Sequence, residues 1–109
     1  MRDRPATVGP VEDAPASHRA AADLLRALAN PHRIAIVLEL AEGERYVHEL
    51  VEVLGVAQPL VSQHLRVLKD VDLVVGHRRG REVAYGLTDR HVAHIVTDAV
   101  THATEPRDL

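Results

Sequence analysis

The sequence predicts a mostly helical α+β domain, and three observations carry that prediction. Two short segments of helical periodicity meet at a glycine turn, Gly55-Val56-Ala57-Gln58. Two apolar triplets, Leu73-Val74-Val75 and Val83-Ala84-Tyr85, then flank a polar stretch, His77-Arg78-Arg79-Gly80-Arg81, containing the glycine that a hairpin turn requires. Further helical periodicity brackets this unit on both sides. A chain of 109 residues has room for one domain, and with 2% aromatic residues its core must be built from Val, Leu, Ile and Ala.

Taken in order, residues 1–16 hold three of the six prolines without periodicity and read as a disordered arm, leaving 17–109 as the folded domain. Ser17 is a candidate N-cap for a first helix marked by Ala20, Ala21, Leu24, Leu25 and Leu28. Asn30-Pro31 opens a second helix, since Asn caps well and proline at the first helical position loses no bonded N–H. It runs to about Ala41, with Ile34, Val37, Leu38 and Ala41 expected inward. Val47, Leu50, Val51 and Leu54 fall at i, i+3, i+4 and i+7, the stripe of a third, two-turn helix. After the glycine turn, Pro59 opens a fourth helix through Lys69, with Leu60, Val61, Leu65 and Leu68 expected on its buried side. The hairpin follows. Thr88 or Asp89 caps a last helix, in which Val92, Ile95, Val96, Ala99, Val100 and Ala103 are apolar, and Pro106 ends it. Two helices about a tight turn followed by a two-stranded hairpin make a winged helix-turn-helix.

The residue inventory excludes several functions. There is no cysteine, so disulfides, thiolate metal sites and cysteine nucleophiles are ruled out, and any metal must be held by His, Asp or Glu. The longest apolar stretch, 34–40, is interrupted by Glu39 and falls far short of the roughly 20 residues of a membrane helix. Residues 1–16 lack the apolar run of a secretory signal, so the cytoplasm is the expected location. An enzyme is not expected: Ser62 and His64 diverge on a helix, and His91-x-x-His94 lacks the glutamate of a zinc-protease motif. No small organic substrate is expected either.

A net charge of −3 gives no global attraction to nucleic acid, so binding must come from local clustering. That clustering is present. On the fourth helix Gln58, Ser62, Gln63, His64, Arg66 and Lys69 lie beside or opposite the apolar stripe. The glutamines suit base edges, Ser62 suits a base or a phosphate, and Arg66 and Lys69 suit phosphates. Arg78, Arg79 and Arg81 at the wing tip would neutralise phosphates beside the groove. The implied partner is double-stranded operator DNA.

Residues 25–34 (LRALANPHRI), Gly55-Val56, residues 61–65 (VSQHL) with Leu68, then Leu73-Val74, Gly80-Arg81 and Tyr85, together resemble the ArsR/SmtB family of metal-sensing repressors over about residues 20–105. The resemblance implies that the helix carrying Ser62 and Gln63 contacts bases, and that a symmetric homodimer forms through the first and last helices. Pro59 departs from the family pattern, where Ser is common, so one hydrogen bond used by relatives is absent and the operator sequence differs.

The last helix begins with Asp89-x-His91 and ends with His102-x-x-Glu105, ten residues separating the histidines. Eleven residues at 100° each is about three turns, so His91, His102 and Glu105 share one stripe, but the ends lie roughly 16 Å apart. Metal–ligand bonds are near 2 Å, so one helix cannot close a site. An antiparallel partner helix related by a two-fold axis can do so twice, with Ile95 and Ala99 lining the contact. Two imidazoles and two carboxylates suit tetrahedral Zn(II), one per shared site and two per dimer, with Co(II) as a surrogate. The same spacing matches the family's last-helix zinc motif, while the family's other site, which uses a cysteine near the third helix, finds Tyr46. His18, His32, His48, His77, His94 and Asp98 are read as solvated or structural. The resemblance further implies a link from the His102 ring to the backbone carbonyl of Asp72. The expected function is a zinc-responsive repressor released from DNA by the metal; a winged-helix repressor answering to Co, Ni or a non-metal signal is the alternative.

Overall fold

The computed structural model describes residues 14–107; the arm predicted for residues 1–16 therefore lies outside the described residues except at its last three positions. The elements are α1 (Ala16–Leu28), α2 (Pro31–Leu40), β1 (Arg45–Tyr46), α3 (Val47–Leu54), α4 (Gln58–Asp70), β2 (Val74–Arg79), β3 (Glu82–Leu87) and α5 (Arg90–Thr104). The strands form one antiparallel sheet in the order β1-β3-β2. The core is aliphatic, with Ile36, Val37, Leu50, Val61, Leu68, Leu73 and Val74 fully buried.

Local chemistry accounts for most boundaries. The Asn30 side chain accepts from the backbone N–H groups of His32 and Arg33, at 2.9 and 3.2 Å, and so caps α2. The Tyr46 backbone N–H donates to Glu49 Oε1 at 2.8 Å, satisfying the entry to α3. Gly55 ends α3 in the left-handed region (φ 71°), its N–H bonded to the Val51 carbonyl at 2.8 Å. In the hairpin Arg79 pairs with Glu82, leaving Gly80-Arg81 as a two-residue turn with positive φ at Gly80, where only glycine is unstrained.

The structure departs from the sequence expectations in four places. Helix α1 starts two residues earlier, with Pro15 at the N-cap and Ser17 inside the helix. In α2 the buried residues are Ile36, Val37 and Leu40, whereas Ala41 is exposed. The helix packs against α3, α4, α5 and β3 at once, so Ile34 and Leu38 are part-covered and no single stripe describes it. Leu60, expected in the buried stripe of α4, is 39% exposed, and Gln58 and Pro59 before it are exposed too, while Val61 next to it is fully buried. The strand β1 was not anticipated: its two residues pair with Tyr85 and Ala84, about forty positions away. In α5 Val92 and Val96 are buried, whereas Ile95, expected to line a partner helix, is exposed, in keeping with that expectation.

Candidate nucleic-acid interface and metal-ligand helix

The buried stripe of α4 is Val61, His64, Leu65 and Leu68, an i, i+3, i+4, i+7 set. Gln58, Ser62, Gln63, Arg66 and Lys69 are exposed, and Arg66 and Lys69 form no ion pair among the described residues. His64 leaves the candidate contact set. It is 8% exposed, its Nδ1 lies 3.4 Å from Arg33 Nη1, and its ring meets the His32 ring edge-on at 5.4 Å. Burial foremost, then the charges of Arg33 and His32, hold its pKa below the ordinary imidazole value, so it serves as a neutral acceptor. Arg33 also donates from Nε to the Ala27 carbonyl at 2.5 Å, tying α1, α2 and α4 together beneath the exposed face.

On the wing the three arginines divide. His77 and Arg79 share one face of β2 by strand alternation, and Arg78 takes the other. Glu44, in the segment before β1, reaches over Gly86 and binds both residues of the first face: His77 Nδ1 at 2.7 Å from Oε2, Arg79 Nη2 at 3.1 Å from Oε1. A Cβ on residue 86 would sit 3.2 Å from Glu44 Cγ, so glycine leaves the space for this arm. The His77 hydrogen bond foremost lowers the Glu44 pKa, with the Arg79 charge adding to it. Arg78 and Arg81 are exposed and form no ion pair among the described residues. Sequence reasoning missed Glu44, since nothing local couples it to residues 33 and 35 positions away.

The four candidate metal ligands are all exposed and lie at the two ends of α5. Asp89 is the N-cap, its Oδ1 accepting from the His91 backbone N–H at 2.9 Å and lying 3.3 Å from His91 Nδ1. The structure thus brings Asp89 and His91 together. At the other end Glu105 is the C-cap, and the Arg107 guanidinium lies 3.2 Å from His102 Nε2. Among the described residues, no three His, Asp, Glu or Cys side chains form a group able to hold a metal ion. Between the ends runs an apolar groove of about 190 Å³ lined by Leu25, Leu28, Ala29, Ile34, Ile95, Val96 and Ala99. Asp72, between α4 and β2, holds a left-handed backbone (φ 61°), which Asp tolerates better than most residues.

Residues 30–75, from the cap of α2 to the second residue of β2, match the pattern of the "Bacterial regulatory protein, arsR family". The HTH-type transcriptional regulator NmtR of Mycobacterium tuberculosis is 43% identical over 93 residues, covering 83% of this chain and 78% of that protein. The chain belongs to the arsR family. Its match to the HTH-type transcriptional repressor SmtB of the same organism is 65% identical over 86 residues, covering 79% of this chain and 64% of the longer relative. Among solved structures, one that is similar is the transcriptional repressor BigR from Xylella fastidiosa (TM-score 0.69, 33% identity, covering 91% of this chain and 100% of that one). Another is the homodimeric winged helix-turn-helix DNA-binding domain of a possible ArsR-family regulator from Mycobacterium bovis (TM-score 0.78, 28% identity, 94% of each chain). The winged helix-turn-helix architecture expected from the sequence is therefore the one this arsR-family chain adopts, and its relatives are named as regulators, not enzymes. No helix among the described residues is long and apolar enough to cross a membrane.

Proposed function

We propose that this arsR-family chain is a transcriptional repressor that binds operator DNA as a metal-free homodimer and is released when zinc binds two sites shared between the α5 helices. The observation that supports the reading is the layout of α5: Asp89 and His91 at its start, His102 and Glu105 at its end, and an apolar groove between them. A two-fold partner laid antiparallel on that groove would bring Asp89 and His91 of one chain to His102 and Glu105 of the other. The donor set of imidazoles and carboxylates fits zinc, which when bound would supply a rigid cross-link between the subunits. Helix α4 would enter the major groove, with Gln58 and Gln63 reading base edges, and the protein would act in the cytoplasm. His102 would relay the metal state through its second ring nitrogen to the Asp72 carbonyl at the root of α4, an arrangement typical of histidine ligands. Coupling of this kind is typically ~1–3 kcal/mol.

Fluorescence anisotropy with operator DNA, with saturating Zn(II) and then with chelator, tests the proposal. Zinc should weaken binding about five- to 150-fold and chelator should restore it. The same titration with Co(II) and Ni(II) separates the alternative: an unchanged affinity with zinc but a loss with nickel would transfer the assignment.

The wing makes a second, quantitative expectation. Arg78 and Arg81 are uncompensated, so their double replacement by alanine should weaken binding to every duplex alike and flatten the logarithmic salt slope by about two per subunit, or about four for the dimer. Arg79→Ala should change that slope by well under one per subunit, because Glu44 already neutralises Arg79. Equal slopes for all three arginines would mean that Glu44 releases Arg79 to the DNA.

A further inference from the structure

Between the exposed face of α4 and the wing lies a polar pocket of about 270 Å³, lined by Ser62, Leu65, Arg66, Lys69, Asp70 and Tyr85. Ser62, Arg66 and Lys69 stand at i, i+4 and i+7 on α4 and aim a hydroxyl and two cations to one side. Tyr85 comes from β3 and closes the other side. It is half-buried, and its hydroxyl has no hydrogen-bond partner among the described residues. The ring is held in place by a missing side chain. A Cβ on residue 76 would lie 2.8 Å from Val83 Cγ1 and 3.2 Å from Tyr85 Cε1, so Gly76 lets the ring lie against β2.

We propose that this pocket is a preformed seat for one phosphodiester of the DNA backbone, with Tyr85 as its donor from the wing. The inference rests on the DNA-binding reading above. Two cations and the Asp70 carboxylate leave a net charge of about +1, which matches the single negative charge of a phosphodiester better than a free phosphate dianion. A phosphate held by Ser62, Arg66 and Lys69 on one side and by the Tyr85 hydroxyl on the other would also fix the spacing between helix and wing. Tyr85 is then a positioning contact, carrying no sequence information, and Asp70 tunes the pocket toward the diester.

The test is Tyr85→Phe, which keeps the ring packed on Gly76 and removes only the hydroxyl. Affinities for operator and for a scrambled duplex are measured across a salt series, with thermal unfolding as a check on folding. The expected result is a loss of about tenfold on both duplexes with an unchanged salt slope, because a neutral donor to a charged acceptor is lost but no cation is. A methylphosphonate scan of the operator should then find one position per half-site at which the wild-type protein loses more affinity than the variant, because both lose the contacts of Arg66 and Lys69 but only the wild type has a Tyr85 hydroxyl bond to lose. A variant that binds both duplexes as the wild type does overturns the phosphate seat and leaves the DNA reading standing. A wild-type protein that binds no duplex overturns the DNA reading and the seat with it. Inorganic phosphate at constant ionic strength that displaces DNA from the wild type, but less from Tyr85→Phe, would overturn the commitment to a diester.

Discussion

A purified heterodimer of one His91→Ala chain and one His102→Ala chain is expected to bind one zinc ion tightly, whereas each parent homodimer binds none with wild-type affinity. The reasoning is geometric. Asp89 and His91 sit at the start of α5, and His102 and Glu105 lie at its end, on a helix whose rise puts them roughly 16 Å apart. In each homodimer both shared sites lack one imidazole. In the heterodimer the two lesions fall together in one site, leaving the other with its full complement of two histidines and two carboxylates. Zinc capacity is read by competition with a chromophoric chelator, and Co(II) absorption reports whether the surviving site is tetrahedral. A heterodimer without a tight site would place each metal within a single chain and end the shared-site proposal. Because zinc is proposed to act only through these sites, operator release by zinc should follow the same pattern.

The parts of this molecule that the sequence declares are those decided within a few residues. The Asn30 cap, the left-handed Gly55, the Gly80-Arg81 turn and the Asp89 cap each depend on a side chain or a missing one at a fixed local offset. Boundaries there follow from sequence alone. His64 was also legible in principle, since it completes the i, i+3, i+4, i+7 stripe with Val61, Leu65 and Leu68. Its polarity argued for the groove, and only its partners Arg33 and His32 on α2 explain how a histidine can sit in that stripe. The division of the wing arginines could not be read, because Glu44 reaches them across a sheet whose third strand is two residues long. In α2 the period is visible but the buried side is not, because a helix enclosed by neighbours on several sides has no solvent face to set the phase.

Replacing Ile95 by glutamate is expected to separate the proposed dimer while leaving the fold intact. Large apolar side chains stand exposed at two points beside the α1–α2–α5 groove, Leu25 at 54% and Ile95 at 36%, and the lining between them is apolar. In the single chain a carboxylate at position 95 reaches water, so the melting temperature of a monomeric sample should move little. In a dimer closed over the groove, the same carboxylate loses water and faces its symmetry mate, a cost of several kcal/mol. About 3 kcal/mol corresponds to a dimerisation constant weakened more than 100-fold, which sedimentation velocity resolves at micromolar concentration. Operator affinity should fall with it, because two half-sites one helical turn apart are read only by two linked recognition helices. Val53→Glu is the matched control: Val53 is 56% exposed on α3, away from the groove, and the variant should remain dimeric. If Ile95→Glu stayed dimeric beside it, the interface would lie elsewhere, and the two halves of the metal site on α5 would lose the partner that joins them.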